Sequence, residues 1–183
     1  MPTIISGDTG VNQITAGAIE KADLPSGSAL QVVQATKTDT QVISTETKTD
    51  ITGMSVTITP SSASSKILVF IALAYNTAGN SNHGHVFLLR NGTEIFKGDA
   101  STSRVNSTLA IASAVSQSTD TGVAIYLDSP GTTSAVTYKL QAWSGQWNES
   151  SQPVYINRTA LDRASTDYDQ RVVSSITAME ISA

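Results

Sequence analysis

Residues 85–97 read HVFLLRNGTEIFK. Two short apolar runs flank Asn91-Gly92, and an Asn-Gly pair so placed takes positive φ at both positions and closes a type I′ β-hairpin. The chain around it continues in the same manner. Upstream, KILVFIALAY (66–75) is apolar on both faces, which predicts a central strand covered on both sides. Before it, MSVTIT (54–59) alternates with period two and stops at Pro60, and SSASS (61–65) is a turn of small residues. ALQVVQAT (29–36) predicts the first strand, and the polar stretch 38–50 a loop or edge. Downstream, residues 107–116 and TGVAIYLD (121–128) predict two more strands, and Ser129-Pro130-Gly131 a turn. SAVTYKLQAW (134–143) alternates cleanly, with Val136, Tyr138, Leu140 and Ala142 on one face and Thr137, Lys139, Gln141 and Trp143 on the other. A short strand at 154–157 and a last one at RVVSSITAMEI (171–181) complete the set. The pattern is eight to ten short strands with no sustained helical period, hence an all-β antiparallel β-sandwich or jelly roll.

Composition points the same way. Ser and Thr fill about a quarter of the 183 positions, and charged residues only 14%, against roughly 25% in an average soluble protein. Thr and Val suit pleated, half-buried surfaces and not long helices. The net charge is −4 and the 11 cations are scattered, so no Lys/Arg stripe neutralises phosphates and nucleic acid is not the expected partner. No membrane partner is expected either, because the apolar run 67–75 is far shorter than the ~20 residues of a spanning helix. There is no Cys, so stability beyond packing has to come from oligomerisation.

Residues 1–27 read differently from residues 28–183. Pro2, Gly7, Gly10, Gly17, Pro25 and Gly27 interrupt single apolar residues, namely Ile4, Ile5, Val11, Ile14, Ile19 and Leu24. Spaced so irregularly, these six cannot form a core that offsets the entropy of ordering the segment. The expectation is an extended N-terminal anchor arm (1–27) whose apolar residues bind another surface, followed by one sandwich domain (28–183).

No motif in the chain specifies catalysis, and the expectation is a protein that is not an enzyme and uses no cofactor. Asp8-Thr9-Gly10 matches the aspartic-protease triplet but follows no apolar strand, so a turn is the better reading. Both histidines lie in His83-Gly84-His85, at a spacing that puts side chains on one face of a strand; three copies about a trimer axis would make a metal set, and a polar loop entering a strand is the plainer reading. Asp162, Asp167 and Asp169 lack the Gly and Glu of an EF-hand loop and read as a solvated acidic loop. No Gly-x-Ser-x-Gly is present. Asn91, Asn106, Asn148 and Asn157 each open an Asn-x-Ser/Thr triplet, as chance provides in so Ser/Thr-rich a chain. Trp143 falls on the polar face of its strand, where a subunit neighbour, a loop such as 154–158 or a stacked sugar ring would cover it. Trp147 and Tyr155 are the other aromatic candidates for a subunit interface or a glycan.

The opening IISGDTGVNQITAGAIEKADLPSG (4–27), the run ITGMSVTITPSSASSKILV (51–69), FLLRNGTEIFKGD (87–99), YLDSPGTTSAVTYKLQAW (126–143) and the ending VVSSITAMEI (172–181) together resemble the β-sandwich modules of cyanophage capsid cement proteins and of related tail-fibre and tailspike tips. The resemblance covers most of the chain and lies in structural segments, with no catalytic motif. It implies a homotrimeric virion protein. Only about 27 residues precede the sandwich, with no heptad or repeat shaft, which suits a cement or decoration protein on the outer capsid surface whose partner is the major capsid protein. A tail-fibre or tailspike-type component that recognises a host surface glycan is the alternative.

Overall fold

The computed structural model describes residues 21–78, 82–147, 150–164 and 167–183. After a single 3-10 turn at Lys21–Asp23 the described chain is built of strands: β1 (Ala29–Lys37), β2 (Gln41–Ile43), β3 (Thr49–Ile58), β4 (Lys66–Asn76), β5 (Gly84–Arg90), β6 (Thr93–Ile95), β7 (Leu109–Ile111), β8 (Asp120–Asp128), β9 (Val136–Ser144), β10 (Gln146–Trp147), β11 (Ser150–Ser151), β12 (Val154–Ile156) and β13 (Ser174–Ile181). All pairings are antiparallel. One sheet runs β1-β13-β4-β12-β2, with β8 on the other edge of β4; the second runs β3-β9-β5-β6, with β7 also on β5. The two sheets pack face to face as a β-sandwich, the fold class that the strand pattern predicts.

Individual elements follow the sequence closely. Asn91 and Gly92 have φ of 49° and 85° and join β5 to β6, the type I′ geometry expected of that pair. The alternation of β9 holds, with Val136, Tyr138, Leu140 and Ala142 wholly buried and the residues between them half-buried. The strand expected over 107–116 shrinks to Leu109–Ile111, and the polar stretch 38–50 contains the short edge strand β2.

Between the sheets, Ile67, Val69, Ile71 and Leu73 of β4 meet Met54, Val56 and Ile58 of β3 together with the inward residues of β9 and β5 in one core. Two polar clusters are buried at its margins. Asp128, at the end of β8 in the first sheet, accepts the Tyr138 hydroxyl at 2.6 Å and both of its oxygens bind the Arg90 guanidinium at 2.8 and 2.9 Å, and these two partners lie in the second sheet. Asn157, fully buried at φ 60°, donates its amide to the carbonyls of Lys37 and Asp39 and accepts the Ser174 hydroxyl, tying β1 to β13 beyond the end of β12. Gly84, at the start of β5, is a point of close approach: a Cβ there would lie 2.5 Å from Val154 Cγ2 and 3.0 Å from Ile111 Cγ1. Gly84→Ala is therefore expected to cost about 1–3 kcal/mol, the usual penalty for overpacking, read as a lower denaturant midpoint at unchanged slope.

One expectation is corrected. β4 is central, flanked by β13 and β8, but it is not covered on both sides. Its buried residues alternate with partly exposed ones from Lys66 to Ala72, and Phe70 is 40% exposed. The register places three rows on the outer face of this sheet: Val32–Met179–Leu68–Leu127, then Gln34–Thr177–Phe70–Ile125, then Thr36–Ser175–Ala72–Val123. An apolar run can thus mean a strand with one core face and one bare apolar face, a distinction that periodicity does not make.

Candidate functional site

A cleft of mixed chemistry lies on the outer face of the second sheet. β5 and β9 set His85 opposite Trp143, both outward by the alternation that buries Val86 and Ala142. Their rings sit 5.6 Å apart, inclined by 40°. His83 from the segment before β5 and Glu46 from the loop between β2 and β3 complete a cleft of about 460 Å³, with Val105, Ala110 and Gly145 on its walls. Gly145 donates its N–H to the His83 carbonyl at 2.8 Å, and any Cβ at that position would collide with the same oxygen. The cleft therefore depends on glycine at 145. Burial, and then the neighbouring His83, hold the His85 imidazole below its ordinary pKa, so it is neutral at physiological pH and can both donate and accept a hydrogen bond. The Trp143 Nε1–H is buried with no hydrogen-bond partner among the described residues, an uncompensated donor of a kind that is uncommon in folded proteins. An indole face beside the neutral His85 imidazole suits a ligand with an apolar ring face and hydroxyl edges.

The other sequence candidates scatter. Tyr155 lies in β12 of the first sheet and points away from the buried Val154 and Ile156, with the Arg158 guanidinium 5.0 Å above its ring. It therefore sits on the opposite outer face from Trp143, and the two do not form one aromatic site. The backbone of Trp147 pairs with Ser150 in the β10–β11 ribbon, and its side chain lies outside the described residues. So do Ile4, Ile5, Val11, Ile14, Ile19, the Asp8 triplet and Asn148. Leu24 is 38% exposed and lines a cleft of about 310 Å³ with Leu30, Ser61 and Ser182, where the chain enters the sandwich beside its C-terminal strand.

The acidic stretch is not simply solvated. Asp162 binds Arg158 at 2.8 Å and Arg171 at 2.7 Å, and the buried Asp169 accepts Arg163 Nε at 2.6 Å and the Thr159 hydroxyl at 2.8 Å. Burial alone would raise the Asp169 carboxyl, but these two hydrogen bonds bring it below the usual carboxylate range. Arginines, which the triplet of aspartates did not bring to attention, thus pin this loop. Among the described residues, no three His, Asp or Glu side chains converge as a metal set would. Sequence reading also passed over Asn157, noted only as the start of a triplet. Comparison with known proteins adds no constraint, since no family model and no curated protein matches the chain.

Proposed function

We propose that this protein is a non-enzymatic structural component of a bacteriophage virion, a cement or decoration protein that binds the outer capsid surface as a homotrimer and contacts the major capsid protein. The observation that carries the reading is the contrast between the sandwich and the stretch before it. β1 begins at Ala29, and the junction is fastened where the N–H groups of Gly27 and Ser28 donate to the Ser182 carbonyl and hydroxyl, each at 3.0 Å. The sequence before this junction carries Ile4, Ile5, Val11, Ile14 and Ile19 without the pattern of a core. Each such side chain contributes up to roughly 1.5–3 kcal/mol when fully covered by a partner. Ordering the segment costs about 1–2 kcal/mol per residue, so one arm binds weakly. Three arms on one trimer engage together through effective concentration. A protein that binds only the assembled lattice then stabilises it by mass action.

A second reading, recognition of a host surface glycan, is favoured by the Trp143–His85 cleft. One experiment separates the two. Full-length protein carrying Ile4→Ser, Ile14→Ser and Ile19→Ser is expected to keep its melting temperature and to be lost from purified particles. Those particles are expected to release DNA at a lower temperature while still adsorbing to cells. Particles that remain heat-stable but fail to adsorb would replace the cement reading with the receptor-binding one.

A further inference from the structure

The two outer faces of the sandwich are finished in opposite ways. On the second sheet, outward Phe87 and Leu89 are 1% and 4% exposed. The Lys48 ammonium lies 4.2 Å over the Phe87 ring and pairs with Glu94, and Lys139, opposite Leu89, pairs with Asp50 at 2.8 Å. Charged side chains with long apolar stems thus cover the apolar groups, as is usual on a face meant for water. On the first sheet, Val32, Phe70, Val123, Ile125 and Leu127 are 40–56% exposed. None of the twelve positions in its three outward rows is charged. The polar members are neutral and partly paired with each other, as Gln34 Nε2 is with Thr177 Oγ1 at 2.8 Å. Depletion of charge at an apolar centre is the mark of an interface core.

We propose that this face of β1, β13, β4 and β8 is the contact between copies of this chain, converging on the axis of the homotrimer; the inference rests on the trimer in the reading above and names its surface. Two observations commit the occupant to a second copy. The chain carries a net charge of −4, and this uncharged face lets like-charged copies meet without burying an unpaired charge. At 40–56% exposure the five large apolar side chains alone leave on the order of 400 Å² bare, about half of the roughly 800 Å² that each partner gives to a standard stable interface, before the seven positions between them are counted. The arrangement also turns His85 and Trp143, on the opposite sheet, away from the axis. The two histidines then do not form a metal set there, and the aromatic cleft stays open on the outside of the assembly.

Sedimentation of the full-length chain at micromolar concentration tests this. The unmodified protein is expected to run as a trimer, and Phe70→Glu with Ile125→Glu as a monomer with an unchanged β-type circular dichroism spectrum. Thr57→Glu, on the outer face of the other sheet, is expected to leave the trimer intact. Should the double variant not fold, Val123→Cys supplies a milder probe, because the chain has no other cysteine. Its thiol is expected to resist a maleimide in native protein and to react in urea. An unmodified protein that sediments as a monomer, a folded double variant that remains trimeric, or a Val123→Cys thiol that reacts freely in native protein overturns the proposal. Dissociation caused by the Ile4/Ile14/Ile19 substitutions, and not by those on the sheet, overturns it in favour of the protein's own arm. A trimer that forms through this face but does not bind particles leaves the inference standing and removes the cement reading.

Discussion

Replacing Asp128 by Ala is expected to lower the stability of the sandwich by about 2–4 kcal/mol, because it leaves a buried phenol without an acceptor and removes the charged partner of a half-buried guanidinium. The carboxylate is 3% exposed and serves two groups of the opposite sheet, the Tyr138 hydroxyl and the Arg90 guanidinium. Tyr138 is wholly buried, and burial together with the neighbouring carboxylate pushes its phenol well above its ordinary pKa. It therefore stays neutral and donates. Without Asp128 the wholly buried hydroxyl has no acceptor, while the guanidinium, 31% exposed, loses both carboxylate oxygens but still reaches water. Tyr138→Phe should cost only about 1–2 kcal/mol, since the ion pair survives and one donor is removed cleanly. Denaturant titration of the three proteins reads both effects. A loss below 1 kcal/mol for Asp128→Ala would mean that the carboxylate does not couple the sheets.

This cluster shows what could and could not be read from the chain. The alternation of residues 134–143 put Tyr138 in the core, because a period of two assigns faces directly. Its partner could not be found in the same way. Asp128 closes a strand in one sheet and Tyr138 lies in the other, with the Ser129-Pro130-Gly131 turn between them, and only the sheet packing brings carboxylate and phenol together. The same limit applied to the cleft. Trp143 was legible as outward, but Glu46 and Val105 reach it from distant loops that no periodicity links to β9. Asn157 stands out in the sequence only as the start of a chance triplet, because Asn-Arg-Thr says nothing of the Lys37 and Asp39 carbonyls over a hundred residues away. The run at 66–75 was read as doubly covered since apolar side chains on alternate faces signal burial of each face, whether by the chain's own core or by something outside it. The structure leaves the second face bare within one chain, which turns a feature of pattern into a question of assembly.

The acid limb of stability is expected to depend on Glu180. Its carboxylate is wholly inaccessible between β1 and the Ser61 turn. Burial alone would raise its pKa, but the Ser61 hydroxyl and N–H, both at 2.6 Å, and the Gln31 amide donate to it and hold it at about 2, against 4.5 for an ordinary glutamate. Because the folded value lies below the unfolded one, the unfolded chain binds the extra proton between these two pH values. The stabilisation is complete above about pH 4.5 and is lost as the pH falls towards 2. Glu180→Gln keeps the shape but removes the charge and puts a second donor against donors. It should cost about 2–3 kcal/mol at pH 7, as for hydrogen bonds to charged groups, and much less near pH 2, where the native glutamate is itself about half protonated and the unfolded one fully so. Asp39, Asp50, Glu94 and Asp169 are lowered as well, so the unmodified protein loses stability in acid for several reasons, and the informative quantity is the difference between the two proteins at each pH. That difference should shrink steadily from pH 4.5 to pH 2. A difference that stays constant over this range would show that Glu180 acts through packing and not through its charge.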